Sequence, residues 1–115
     1  MTAALDPRVT FFAAVHPALC DHEAFMKKRA CGWNLSLQVP ARYDTANFAR
    51  CLAVPGWFSW GYNDDVCPPT SMYAAYNAVT SPKELHPYLE TGHYWYQEQW
   101  DEWLAWLWKQ MGIGK

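Results

Sequence analysis

Three stretches of the chain are apolar enough to be strands of a buried sheet, and segments with other patterns separate them. Val9–Val15 is a continuous, partly β-branched run, which is typical of a strand covered on both faces. Gly56–Gly61, rich in Trp and Phe, and Glu84–Leu89 are the second and third candidates. Because strands and helices alternate, we predict right-handed βαβ units on a mainly parallel sheet.

The helical segments are marked by their periodicity and by the residues at their ends. Apolar side chains from Tyr96 onwards recur at i, i+4, i+7, i+8 and i+11, which indicates an amphipathic helix. Gly112 follows it as a stop signal. The predicted helices are Thr2–Leu5, Asp21–Cys31, a short one capped by Asp44, one capped by Thr70 or Ser71 and broken by Ser81-Pro82, and Tyr96–Met111. The segment Trp33–Arg42 has no clean period and is predicted as a loop.

Composition and charge exclude several classes of protein. A chain of 115 residues, 51% hydrophobic and 17% charged, fits one domain with a real core and not a disordered segment. The formal charge of −2 provides no basic field for a nucleic acid. The longest apolar run is too short to span a bilayer, and Met1–Thr10 lacks the apolar run of a signal peptide. Localisation stays open, because a secreted chain would have lost its signal.

The four cysteines do not form a recognisable metal pattern. No pair has Cys-x-x-Cys spacing, and no Cys/His cluster matches a zinc template. Three disulfide pairings remain open, and the preferred interpretation is that most of these side chains are small buried hydrophobes. The cysteines are Cys20, Cys31, Cys51 and Cys67.

Polar side chains follow each predicted strand. His16 follows the first, Asn63, Asp64 and Asp65 follow the second, and His93 follows the third. Ligands bind at the carboxyl ends of strands in open α/β sheets. An acid there, meeting a histidine 29 positions later, forms two thirds of a nucleophilic triad, in which the carboxylate orients the imidazole base. The α/β-hydrolase order of Ser, Asp and His would put the serine upstream.

The segment Trp60–Asn77 resembles the acid loop of the acetyl xylan esterase / cephalosporin C deacetylase family. The family pattern is a strand, Gly-x-x-Asp-x-x-Cys-Pro-Pro, and a helix containing Ala-Ala-Tyr-Asn; here it reads from Gly61 through Asp64 and Cys67. Weaker matches cover nearly the whole chain, at Leu5-Asp6-Pro7-Arg8-Val9, Tyr43-Asp44-x-x-Asn47-Phe48-Ala49 and Pro82-Lys83-Glu84.

This resemblance implies a fold, a reaction and two site residues. The fold is the C-terminal part of an α/β-hydrolase three-layer domain, spanning residues 1–115 with about three mainly parallel strands. Asp64 takes the triad acid, with Asp65 as the alternative, and His93 takes the general base, followed by Tyr94 where many members have Glu. The implied activity is hydrolysis of acetyl esters on xylan-type sugars, with no metal and no organic cofactor.

The nucleophile of that family is not encoded in this sequence. None of Ser36, Ser59, Ser71 and Ser81 stands in a Gly-x-Ser-x-Gly elbow. Ser59 comes closest, but it lies within a predicted strand and not on a strand-to-helix turn. The oxyanion-hole donors, which come from the residue after the nucleophile and from an earlier loop, are absent with it. We therefore expect the chain to be the C-terminal half of an esterase and inactive alone.

The aromatic content gives an alternative and an expected partner. Seven tryptophans could form a sugar-stacking platform of a non-catalytic carbohydrate-binding or interaction module, although helical spacing favours packing onto the sheet; these are Trp57, Trp60, Trp95, Trp100, Trp103, Trp106 and Trp108. Trp106 and Trp108 would widen the packed face towards a neighbouring subunit. The edge of Val9–Val15 would be open and apolar. Self-association through that edge or through the Trp surface is the expected interaction.

Overall fold

The computed structural model of the protein describes residues 1–21 and 43–114. Within these ranges the elements, in chain order, are α1 (Thr2–Leu5), β1 (Phe12–Val15), α2 (Thr45–Ala49), β2 (Gly56–Gly61), α3 (Pro69–Ala78), β3 (Lys83–Tyr88) and α4 (Gln97–Met111). The predicted helix after Asp21 and the predicted loop Trp33–Arg42 lie outside the described residues. In the described part, no helix is both long and apolar enough to cross a membrane.

The three strands form one parallel sheet in the order β1-β2-β3, as the alternation of strands and helices predicted. The first strand is shorter than the apolar run. The backbone N–H of Val9 donates to the Asp6 carbonyl in a turn, at 3.1 Å, so pairing with β2 begins only at Phe12, opposite Gly56. β3 also begins one residue earlier than predicted, because Lys83 pairs with Gly56 from the other side.

β2 is the central strand, and helices cover it on both faces. Phe58 and Trp60 belong to the core that α2 and α3 complete. On the opposite face, Trp57 stacks on His86 with ring centroids 5.1 Å apart, and Ser59 contacts α4. Every residue of β2 is buried, which is why this strand is apolar throughout and does not alternate.

The start of α3 differs from the prediction. Pro68 is the N-cap, Pro69 is the first helical residue, and no side chain caps the helix. The Pro68 carbonyl accepts from the N–H groups of Ser71 at 2.9 Å and Met72 at 3.2 Å. The hydroxyl of Ser71 donates instead to the carbonyl of Cys20. The caps predicted at the other two helices are correct: Asp44 accepts from the Ala46 N–H at 2.8 Å, and Gly112 ends α4 in the left-handed conformation.

A buried glutamine fixes α4 against the sheet. Gln99 is fully buried. Its carbonyl oxygen accepts from the N–H of Tyr96 at 2.9 Å, and its amide donates to the Ser59 hydroxyl at 3.1 Å. That hydroxyl donates in turn to the His86 carbonyl at 2.8 Å. Because all these polar groups are satisfied in the interior, the network sets the position of α4 on the sheet.

The tryptophans in the described part of the chain differ widely in burial. Trp57, Trp60 and Trp106 are buried, and the Trp106 indole donates to Glu84 at 3.1 Å. Three further rings pack on one another, with centroids 4.2 to 6.1 Å apart; these are Trp95, Trp100 and Trp103. Trp100 and Trp108 keep exposed faces.

The cysteines in the described residues carry free thiols. Cys20 and Cys67 are buried, as predicted, whereas Cys51 is exposed. Burial raises the pKa of the Cys20 thiol to about 12 and that of the Cys67 thiol to about 11. Neither buried thiol is therefore a thiolate near neutral pH. Cys31 lies outside the described residues.

Candidate active site

Two loops meet at the carboxyl end of the sheet. The first follows β2 and contains Asp64; the second follows β3 and contains His93. Backbone hydrogen bonds join them, from the Tyr62 N–H to the Tyr88 carbonyl and from the Asn63 N–H to the Thr91 carbonyl, each at 2.9 Å. The Asn63 side-chain amide adds a third link, to the Leu89 carbonyl at 2.9 Å. These bonds extend the pairing of β2 and β3 beyond the strands.

Asp64 is a buried carboxylate with four hydrogen bonds. One oxygen, Oδ1, accepts from the backbone N–H groups of Val66 at 2.9 Å and Cys67 at 2.7 Å. The other, Oδ2, accepts from the Nδ1 atoms of His16 and His93, each at 2.8 Å. Asp64 is only 2% exposed, and this full set of donors is what makes a buried carboxylate tolerable.

The structure brings the predicted pair, Asp64 and His93, into contact, whereas Asp65, the alternative acid, is not part of the cluster. Asp64 and His93 are in direct contact, as their places at the ends of adjacent strands predicted. The neighbouring Asp65, in contrast, is exposed to solvent. The His93 side chain is 40% exposed, so its ring lies between the buried carboxylate and solvent.

His16 is the site residue that the sequence did not assign. The sequence places it after the first strand but assigns it no role. Its side chain is only 7% exposed, and its ring centroid lies 4.9 Å from that of His93. The available signal was its position: with three parallel strands in sequential order, the residues after β1 and β3 both flank the end of β2.

The same three residues are the only described group of His, Cys, Asp or Glu side chains with metal-site spacing, with ligand atoms within 4.8 Å of one another. A divalent cation accepts lone pairs from deprotonated ligands. Binding there through both Nδ1 atoms would displace the protons that these atoms donate to Asp64. In this structure the three side chains form a hydrogen-bonded cluster, in which Asp64 contacts both His93 and His16.

The chemistry available to this cluster is proton transfer by an oriented imidazole. A carboxylate that accepts from Nδ1–H leaves Nε2 of the same ring as the basic nitrogen. In the described chain, the hydroxyls of Ser59, Ser71 and Ser81 donate to the backbone carbonyls of His86, Cys20 and Val54 and not to a residue of this cluster. Ser36 lies outside the described residues. The cluster thus joins one carboxylate to two imidazoles, and these three hydroxyls form hydrogen bonds outside it.

Comparison with known proteins identifies the family of this chain. The sequence profile of the family described as acetyl xylan esterase (AXE1) matches residues 35–110, more than half of the chain. Acetyl esterase Axe7A of Xylanibacter ruminicola is 44% identical in an alignment of 95 residues, and the match covers 73% of this chain and 22% of that protein. The chain thus spans about a fifth of this curated relative.

Solved structures share the fold. The acetyl xylan esterase from Paenibacillus sp. R4 superposes with a TM-score of 0.78 at 23% identity, over 91% of this chain and 39% of that one. Acetyl xylan esterase 1 from Thermoanaerobacterium sp. JW/SL YS485 gives 0.76 at 24% identity, over 94% and 40%. Three parallel strands with helices on both faces are thus part of an α/β-hydrolase fold. With the profile match, these findings establish that the chain belongs to the acetyl xylan esterase family.

Proposed function

We propose that this chain supplies the acid and the base of a serine carboxylic-ester hydrolase that removes acetyl groups from acetylated xylan or related sugars. Asp64 orients the imidazole of His93, and His93 takes the proton of a serine hydroxyl as general base and returns it to the leaving alcohol. The 2.8 Å contact between Asp64 Oδ2 and His93 Nδ1 is the observation that carries the proposal.

The exposure of the two partners supports these roles. A triad acid works from a buried site, where its hydrogen bonds hold the histidine in one tautomer. Asp64 has such a site, while the half-exposed His93 can reach a substrate. The substrate class rests on the family and on the name of the 44% identical relative, an acetyl esterase.

We further propose that the chain alone does not turn over acetyl esters. Its sequence contains no Gly-x-Ser-x-Gly elbow, and the loss of a triad nucleophile costs about 10⁶-fold in turnover. The exposed Cys51 does not substitute for the serine in this scheme, because the acid–base pair contacts His16, Val66 and Cys67 and not Cys51.

A chimera tests the assignment directly. The matched segment of acetyl esterase Axe7A is replaced by this chain, and hydrolysis of p-nitrophenyl acetate and acetylated xylan is measured. We expect the chimera to be active, and His93→Ala and Asp64→Asn to lower its turnover by about 10⁴-fold or more. The isolated chain should release no product above the buffer rate.

His86→Ala is the matched control. His86 also hydrogen-bonds a carboxylate, that of Glu102 at 2.9 Å, but it lies within β3 and not at the strand ends. Its replacement should leave turnover within a few-fold of the parent chimera. Full activity of the His93→Ala chimera, or serine-dependent turnover by the isolated chain, would contradict the proposal.

The alternative function is carbohydrate binding through exposed tryptophan. It rests on the exposed faces of Trp100 and Trp108, since aromatic faces stack on sugars in binding modules. Titration of the isolated chain with xylan oligomers, followed by Trp fluorescence, separates the two proposals: saturable quenching that Trp100→Ala removes would favour the binding module.

A further inference from the structure

Asp64 has one more histidine partner than a triad acid needs. In the proposed function a single Asp–His contact orients the base, yet Oδ2 of Asp64 accepts from His16 as well as from His93, at the same 2.8 Å distance. The two histidines differ in access to solvent, since the His16 side chain is 7% exposed and that of His93 is 40% exposed. The two histidines contact Asp64 at the same distance but differ in their exposed fraction, which indicates that they have different roles.

The position of the protons on His16 follows from its surroundings. An ionised carboxylate oxygen only accepts hydrogen bonds, so each Nδ1 facing Asp64 carries a proton. The other ring nitrogen of His16, Nε2, is buried and has no partner among the described residues. A proton on that nitrogen would be a buried N–H without an acceptor, which is costly. The structure therefore favours the tautomer of His16 with its single proton on Nδ1. Among the described residues, Nε2 has no group to which it could pass a proton.

The backbone of His16 is also held in an uncommon conformation. Its φ of +44° lies in the left-handed region, which costs energy for a residue other than glycine. Its N–H donates to the Ser59 carbonyl at 3.0 Å, at the last paired position of β1 and β2. The ring is thus fixed to the end of the central strand and turned towards Asp64.

We propose that His16 is a positioning residue for the Asp64–His93 pair. By occupying one lone pair of Oδ2 from the side of β1, it holds the carboxylate in the rotation that directs the other lone pair at His93. This keeps the proton of His93 on Nδ1 and leaves Nε2 basic. The significance for catalysis rests on the proposed function, in which His93, and not His16, moves the proton.

The two histidine tautomers can be read from the isolated chain. Long-range ¹H–¹⁵N correlation spectra of the ¹⁵N-histidine-labelled protein report which ring nitrogen carries the proton. We expect both His16 and His93 to be protonated on Nδ1. In His16→Phe, which fills the space without a donor, we expect His93 to lose its single tautomer and become a mixture. In His16→Asn, whose amide nitrogen takes the place of Nδ1, the single tautomer of His93 should return.

The possible outcomes distinguish the positioning role of His16 from the proposed function. A His93 that keeps its Nδ1 proton in folded His16→Phe, with dispersed backbone amide signals like those of the wild type, overturns the positioning role and leaves the proposed function intact. A wild-type His16 protonated on Nε2 overturns it too, whether or not the variants fold. A wild-type His93 protonated on Nε2 overturns both proposals, because the Asp64–His93 contact would then not orient the base.

Discussion

A buried carboxylate is stable only when donors surround it, and at the scale of single residues this condition shapes the site. Asp64 satisfies it with two backbone N–H groups from its own loop and two imidazole N–H groups from distant segments. The residues around Asp64 are therefore coupled, since removal of the carboxylate leaves four buried or half-buried donors without an acceptor.

Asp64→Ala is expected to lower the free energy of unfolding by about 1–3 kcal/mol, because it leaves buried hydrogen-bond donors without an acceptor. Urea denaturation followed by Trp fluorescence measures the change. The neighbouring Asp65→Ala is the control, since Asp65 is exposed and surface substitutions usually stay within about 0.5 kcal/mol. Equal stability of the two variants would show that the network around Asp64 contributes little to folding.

Because the Cys20 thiol is buried, we expect the free energy of unfolding to fall as the pH rises in the alkaline range. Burial, with smaller contributions from Asp44, Cys67 and Asp21, raises its pKa from 9.0 to about 12. The unfolded thiol releases its proton from about pH 9, whereas the folded one retains it. The free energy of unfolding is therefore highest below pH 9 and falls by up to about 1.4 kcal/mol per pH unit between pH 9 and 12.

Urea denaturation in reducing buffer at several pH values tests this slope. Cys20→Ala should make this slope shallower, because one titrating group is gone, while the Cys67 thiol, whose pKa burial raises to about 11, keeps its own contribution. Cys51→Ala, at an exposed thiol, should leave the slope unchanged. An alkaline slope that is the same in the wild type and in Cys20→Ala would assign the loss of stability to other groups.

At the scale of elements, the site depends on close contact between the loops after β2 and β3. Gly61 lies at the end of β2, where a Cβ atom would collide with the backbone carbonyls of Thr91 and Gly92. A side chain here would push the second loop away, and His93 with it. Glycine at this position is therefore a requirement of loop packing and not of backbone conformation.

Gly61→Ala is expected to destabilise the chain by about 1–3 kcal/mol through overpacking and to loosen the Asp64–His93 contact. Thermal unfolding and the His93 tautomer, read by NMR, measure the two effects. Gly92→Ala, on the facing loop, is the matched control, because its nearest neighbours would lie 3.7 Å from the new Cβ. A Gly61→Ala protein as stable as Gly92→Ala would contradict the packing argument.

At the scale of the whole molecule, β1 is the edge of the sheet, and among the described residues it pairs only with β2. Phe12 and His16 direct their N–H groups at β2. By alternation, Ala13 directs its N–H outward. An apolar edge of this kind is a template for another strand. We propose that copies of the chain associate through this edge, with the exposed Trp surface as the alternative.

Sedimentation velocity at high micromolar concentration should detect this association. Ala13→Pro removes an outward N–H without removing a bond to β2, so it should shift the chain towards monomer. Trp108→Gln should have that effect only if the exposed Trp surface, and not the edge, forms the contact. A wild-type chain that stays strictly monomeric would exclude both contacts.

The bounds of the strands and helices were predictable where a local pattern sets them. They were less predictable where contacts between distant residues set them. β2 has the predicted bounds, Gly56–Gly61, because a strand buried on both faces is a continuous apolar run. β1 is shorter than its run, because a turn at Asp6 takes the first residues out of pairing. The predicted cap of α3 was wrong: Pro68 is the N-cap, and the Ser71 hydroxyl donates to the carbonyl of Cys20, 51 positions away, a contact that no local pattern shows.

By itself the sequence determined the parallel sheet, the places of Asp64 and His93 at its carboxyl end, and the family, because apolar periodicity, chain order and the Cys-Pro-Pro motif are local properties. Only the tertiary structure decided that Asp64 has two histidine partners. His16 and Asp64 are 48 positions apart, and their contact depends on the register that sets Val15 beside Ser59. A shift of that register would move His16 away from the carboxylate, and no local pattern in the sequence specifies it.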